Sequence, residues 1–267
     1  MTADHAERVA EIYSGHARGY ADFWSPIIRP VACRLLDALP WTEAHRVLDI
    51  GTGTGALVPD IHRHAPSAVV IGVDRSPGML ALAAEAGTLV ALMDASNLAL
   101  RDEAMDIAVM AFVLFNVQDP VAALAEAARV LRPGGTLGTS TWAADPMTRA
   151  AQVWDDELNA HGAIDRLPMP WENDDLMNTP AKMTGLFSKA GLTTVRVWVE
   201  RLDHSWDLDA FVVLRMTFGS SKRKLDSLAP ATRRVFLERA LDRLRGLSPE
   251  DFIYRAAVVC AVARRSA

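Results

Sequence analysis

Short apolar runs alternate along the chain with stretches whose apolar residues recur three and four positions apart. The runs are HRVLDI at 45–50, AVVIGVD at 68–74, LVALMD at 89–94, MDIAVMAF at 105–112 and TLGTSTW at 136–142. All are short and the first four are largely apolar, the pattern of a parallel strand covered on both faces; TLGTSTW continues their rhythm as a fifth. Helical spacing covers 3–22, with Ala6, Val9, Ala10, Tyr13 and Ala17 on one side, and 25–39, where Pro30 bends the helix or delays its start. Further helices are predicted near 55–65, over 76–86 with Ser76 as N-cap and Pro77 at the first helical position, and over 120–131, stopped by Pro133-Gly134-Gly135. After 142 the rhythm breaks: residues 143–179 are long, irregular and rich in Trp, Met, Pro and Asp, an insertion rather than a tight connection. A helix at 180–191, a strand at 193–200, helices at 208–218 and 229–245, and a strand at 252–265 complete the pattern. Strands alternating with helices predict an α/β fold with a doubly wound parallel sheet of seven strands, the last inserted antiparallel. We read residues 1–267 as one domain, with a helical lid over 1–40 and a cap over 143–179.

The first strand runs into VLDIGTGTGA at 47–56, where Gly51, Gly53 and Gly55 let the backbone turn sharply and approach a ligand at the carboxyl end of the strand. The second strand ends in Asp74, placed to accept hydrogen bonds from two ribose hydroxyls. A dinucleotide and an adenosyl cofactor both satisfy these features, and two acids separate them. Asp49 at the lip of the first strand repels a pyrophosphate and favours a cofactor carrying an ammonium group and a sulfonium. Asp94-Ala95 ends the third strand with a carboxylate where an adenine amino group would lie.

Composition narrows the picture. The 267 residues carry 28 Lys and Arg against 33 Asp and Glu, a net charge of -5, which argues against a nucleic-acid partner. The basic cluster SKRK at 221–224 reads as a solvated loop. Cys33 and Cys260 lie far apart in apolar surroundings and make neither a metal spacing nor a disulfide framework, so a reducing, cytoplasmic setting is expected. The N-terminal stretch lacks the apolar core of a leader, and no run of about 18 apolar residues suggests a membrane span. No metal is expected.

Four motifs resemble those of the class I S-adenosylmethionine-dependent methyltransferases, of the small-molecule type: VLDIGTGTG at 47–55, VIGVDRSPGML at 70–80, MDASNLALRDEAMDIAV at 93–109 and ARVLRPGGTL at 128–137. The resemblance covers roughly 9–142 closely and 180–265 in outline, and it implies a Rossmann-like sheet with S-adenosyl-L-methionine as cofactor. It further implies that Asp49, Gly51, Thr52, Gly53 and Gly55 surround the methionine portion. Asp74 would hold the ribose, with Arg75 and Met79 near the adenosine. Asp94 and the Ala95 backbone would read the adenine, and Phe112 would sit beside the amino-acid end. Tyr13 and Tyr20 resemble lid tyrosines of related enzymes. The insertion at 143–179 departs from the shared core.

Ligands of open α/β sheets bind outside the carboxyl ends of the strands. That edge carries Phe112 and Asn116 after the fourth strand, Trp142 after the fifth, and Asp203 and His204 after the sixth. Folded over it, the cap would line an apolar acceptor chamber with Trp142, Trp154, Met169, Trp171, Met177 and Met183; the competing reading packs these side chains as ordinary core. His16, His161 and His204 are the candidate bases, each with an equally ordinary reading as a packed or solvated imidazole. The expected function is methyl transfer to a small, largely apolar metabolite by a monomer or homodimer. Two alternatives stay open: a protein of the same fold that binds the cofactor without methylating, and an NAD(P)-dependent oxidoreductase.

Overall fold

Seven strands form a single sheet in the computed structural model, which describes residues 2–168 and 173–266. The strands are β1 (Arg46–Ile50), β2 (Val69–Asp74), β3 (Leu89–Leu92), β4 (Met105–Ala111), β5 (Leu131–Ala144), β6 (Leu192–Ser205) and β7 (Ile253–Arg265). Their order is β3-β2-β1-β4-β5-β7-β6. All neighbours from β3 to β5 pair in parallel, whereas β7 runs antiparallel between β5 and β6. The order reverses at β1, so the loops after β1 and β4 diverge and leave a crevice at the carboxyl edge.

The helices are α1 (Thr2–Gly15), α2 (Ala17–Gly19), α3 (Ser25–Leu36), α4 (Val58–His64), α5 (Pro77–Glu85), α6 (Pro120–Val130), α7 (Arg149–Ala160), α8 (Pro180–Lys189), α9 (Leu208–Thr217), α10 (Gly219–Asp226) and α11 (Pro230–Arg245). One core packs α6 and α8 on the sheet through Leu124, Ala127, Met183 and Phe187 against Leu48, Ala108, Met110 and Val259. The opposite face receives α3 and α4 through Val31, Leu35, Leu36 and Ile61 against Val47, Val70 and Val109. A third cluster lies off the sheet, where Trp154 and Leu158 of α7 pack with Phe211, Leu225, Phe236 and Leu244 of α9 to α11.

Four local expectations change. First, α6 ends at Val130, and Pro133-Gly134-Gly135 lies inside β5, where the register with β4 slips between Met105 and Ile107. Proline and glycine mark an irregularity within the strand there, rather than the stop of the helix. Second, SKRK belongs to α10, because Ser221 and Leu225 are buried four residues apart on one face. Third, Asp203 and His204 are within β6, whose pairing with β7 runs on to Ser205. Fourth, the N-terminal helix breaks at His16, and Tyr20–Trp24 forms a π-helical segment before α3.

Candidate active site

The crevice holds a cavity of about 930 Å³. Its floor is the turn after β1, the ends of β2 and β4, and the loop after β3; its roof is α1 with Ala6, Val9 and Tyr13, continued by Tyr20. The turn needs glycine at its first position. Gly51 has φ of 69°, and a Cβ there would stand 2.3 Å from Cγ2 of Val113. Asp74 fixes the same turn from the neighbouring strand. Its Oδ2 accepts from the Gly53 N–H at 2.9 Å and its Oδ1 from the Ser76 N–H at 2.8 Å, while the residue also lines the cavity. Burial pushes its carboxyl above the usual range, against those amide hydrogen bonds.

Asp49 is 2% exposed and accepts from Thr52 Oγ1 at 2.7 Å. Burial first, with Asp74 adding to it, pushes its pKa up to about 6. Beside it a smaller pocket is lined by Ser25, Arg29, Asp49, Thr52 and Phe112. Arg29 is held there by paired hydrogen bonds to the buried Asp60, 2.7 and 2.8 Å long. At the far end Arg75 donates to Asp94 at 2.7 Å, and Asp94 also accepts from the Ser96 N–H at 2.9 Å. Met79, Ala95 and Phe112 complete the predicted lining. Phe112 has φ of 58°, a left-handed backbone rare outside glycine, at the junction of the two pockets.

Tyr13 and Asn116 meet in the cavity, the Asn116 amide donating to the Tyr13 hydroxyl at 3.1 Å. Burial raises the Tyr13 pKa to about 12 and moves that of Tyr20 still higher, so both hydroxyls keep their protons at neutral pH. Among the described residues, Asn116 Oδ1 is buried with no hydrogen-bond partner, an acceptor left for a ligand.

The remaining candidates lie elsewhere. Gly55 packs against Thr88 and Ala83 behind the turn. Trp142 is one ring removed from the cavity, 4.9 Å from Phe112 between ring centres. Trp154 is fully buried off the sheet, 4.9 Å from the Phe236 ring, and Met177 and Met183 are in the sheet core. Met169 and Trp171 fall outside the described residues. The insertion touches the cavity through Leu176, and Asn173 donates to the Val117 carbonyl at 2.6 Å. None of the three histidines lines the cavity. The His16 ring packs on Phe218, and burial, then Arg223 and Lys222, lowers its pKa. His161 caps α7 through the Glu157 carbonyl at 2.9 Å. His204 packs on Trp206, and burial lowers its pKa as well. Ser25 and Arg29 escaped the sequence analysis because their approach to Asp49 depends on how α3 docks, which no local spacing reports.

Residues 48–139, about a third of the chain, match the family described as a methyltransferase domain. A ubiquinone/menaquinone biosynthesis C-methyltransferase of Geobacter sulfurreducens is 33% identical over 49% of this chain and 57% of its own. A malonyl-[acyl-carrier protein] O-methyltransferase of a Marinomonas species is 30% identical over 57% of this chain and 55% of its own. The chain thus spans little more than half the length of these relatives. The solved phosphoethanolamine N-methyltransferase 2 of Haemonchus contortus, in complex with S-adenosylhomocysteine, shares the fold with a TM-score of 0.51 at 16% identity, over 89% of this chain and 53% of its own. The fold is thus that of solved methyltransferases, and residues 48–139, which carry the glycine turn and its two acids, are similar to a methyltransferase domain.

Proposed function

We propose that the protein transfers a methyl group from S-adenosylmethionine to a small, largely apolar metabolite, at oxygen, nitrogen or carbon. The observation that carries the reading is one cavity with two kinds of wall. One side presents the Gly51–Gly53 turn, Asp74 and Asp94; another presents Val9, Val113, Val117 and Leu176. The residues fit the cofactor. Asp49 and Arg29 offer opposite charges to an amino-acid portion, Asp74 offers lone pairs to a ribose, and Asp94 with the Ala95 backbone offers an edge to an adenine. When bound, S-adenosylmethionine supplies a methyl group made electrophilic by its sulfonium. The chain's part is to orient the acceptor and keep water out, for which Tyr13 and Tyr20 overhead are suited. The pair of Tyr13 and Asn116 supports recognition of one polar group on an otherwise apolar acceptor. The quinone-biosynthesis name of one relative supports a small, apolar acceptor, whereas the acyl-carrier name of the other points to an acyl group on a carrier protein. Among the described residues, no helix is long and apolar enough to cross a membrane.

S-adenosylhomocysteine at a hundred times its dissociation constant is expected to stabilise the protein by about 2.7 kcal/mol, visible as a rise in Tm, while NAD leaves Tm unchanged. The reverse result makes the chain an oxidoreductase. Labelled methyl appearing in a product from cell extract then separates methyl transfer from a non-methylating use of the cofactor.

Binding is also expected to depend on pH. The folded Asp49 carboxyl, at about 6, lies above its unfolded value of about 3.9. The ligand-free protein therefore holds an extra proton between those values, and this group's contribution to stability falls as pH rises through them. An ammonium beside Asp49 favours the carboxylate, so S-adenosylhomocysteine should bind more tightly as pH rises toward about 6, by up to roughly tenfold per unit, then level off. Calorimetry from pH 5 to 8 on the wild type and Asp49→Asn checks this: the variant should lose most of the slope, and any remainder belongs to Asp74. An equal slope in both removes Asp49 from the ligand's charge.

A further inference from the structure

Helix α5 follows directly on the Asp74 turn, and its N-terminus is capped by two hydroxyls that are 62 residues apart in sequence. Pro77 has no N–H to satisfy, so the first free donors belong to Gly78 and Met79. Ser76 Oγ accepts from the Met79 N–H at 3.3 Å. The Gly78 N–H is answered by Ser14 Oγ at the end of α1, 3.2 Å away, and Ser14 Oγ lies 2.8 Å from Ser76 Oγ. The approach is close: a Cβ on residue 78 would stand 2.7 Å from the Cα and carbonyl oxygen of Ser14. Ser76 in turn donates its N–H to Asp74. Ser14, Ser76 and Asp74 thus form one hydrogen-bonded row from the roof of the cavity to its floor. The other end of the segment is held by packing. A Cβ on Gly19 would stand 2.4 Å from the Thr217 carbonyl oxygen at the end of α9, and the Tyr20 ring packs on Phe218 at 5.4 Å.

We infer that Ser14 is a positioning residue that ties the seating of α1 to the ribose-holding turn, so that closure of the N-terminal segment and cofactor binding favour each other. The inference rests on the cofactor reading above. The reciprocity is thermodynamic: a ligand that orders Asp74 and Ser76 strengthens the seat of Ser14, and a seated Ser14 strengthens the ligand by the same factor. An open segment admits and releases ligands; a seated one carries Tyr13 and Tyr20 over the bound cofactor.

Hydrogen exchange and calorimetry with S-adenosylhomocysteine test it on the wild type, Ser14→Ala, Gly78→Ala and the double variant. In the wild type the ligand is expected to slow exchange over 6–20. In Ser14→Ala, which loses both hydrogen bonds of that hydroxyl, it should bind about three- to tenfold more weakly, a coupling worth about one of them, and should no longer slow exchange over 6–20. Exchange in β4 should stay as in the wild type. Gly78→Ala, which displaces α1 while leaving the serine intact, should give a similar loss, and the double variant should add little to either. A purely structural role would lower Tm but keep the ligand-dependent protection. A wild type that binds the ligand beside a Ser14→Ala variant of equal affinity and equal protection overturns the inference. A wild type that does not bind S-adenosylhomocysteine overturns the cofactor reading and this inference with it.

Discussion

Replacing Asp74 by alanine is expected to weaken S-adenosylhomocysteine binding by about a hundredfold or more. Two ribose hydroxyls would lose a charged acceptor, and hydrogen bonds to charged groups contribute roughly 1.5–3 kcal/mol each. At about 1.4 kcal/mol per decade, the two together exceed two decades. The turn suffers as well, because the same carboxylate accepts from Gly53 and Ser76. Asp74→Asn should recover part of the loss, since one amide oxygen can still receive a donor, but the charge and the second acceptor are gone. Calorimetry on the three proteins orders them wild type, asparagine, alanine. An unchanged affinity in Asp74→Ala means that the ribose is held elsewhere.

Trp154→Ala is expected to cost stability and leave the cleft alone. The indole is fully buried between Phe211 and Phe236, at 6.4 and 4.9 Å between ring centres, in the helical cluster beside the sheet. Truncating a buried tryptophan removes about 3–5 kcal/mol. For a chain of this size that lowers Tm by roughly 5–9 °C. Affinity for S-adenosylhomocysteine should stay within about threefold, roughly 0.6 kcal/mol. A variant that keeps its Tm but loses use of an acceptor would return the indole to the acceptor site.

Strands β1, β2 and β4 were legible because a strand covered on both faces must be apolar along most of its length, and their spacing between helices carried β3 and β5 with them. The turn and its acids were legible for a local reason too: backbone geometry and a charge at a strand end are set by a few adjacent residues. What escaped depends on tertiary docking. Tryptophan and methionine in 143–179 announce burial without saying against what. Trp154 found α9 to α11, and Met177 found the sheet core. Lys222, Arg223 and Lys224 hid the helix of α10, whose inward face is only Ser221 and Leu225. Imidazole chemistry makes any histidine a candidate base, whereas position is what selects one, and His16, His161 and His204 pack on Phe218, Phe236 and Trp206 instead. Ser14 was invisible for the same reason, since its partner is 62 residues away.

The insertion of β7 between β5 and β6 also orders events in time. β5 pairs Thr136 with Arg264, and β6 pairs Leu192 with Arg265, so β5 keeps one edge open beyond β4, and β6 has no strand partner, until the last strand has been synthesised. A growing chain can assemble β1 to β5 and the glycine turn early. It then carries an open β5 edge, with β6 waiting unpaired, through the whole of α9 to α11. Pairings this distant in sequence close slowly, and an unpaired edge invites association between chains. A chain interrupted before residue 253 would keep every residue of the ligand cleft and still be expected to aggregate. For this fold the vulnerable interval is the wait for β7, and molecules that shorten it by shielding the β5 edge should raise the yield of native protein without touching the chemistry.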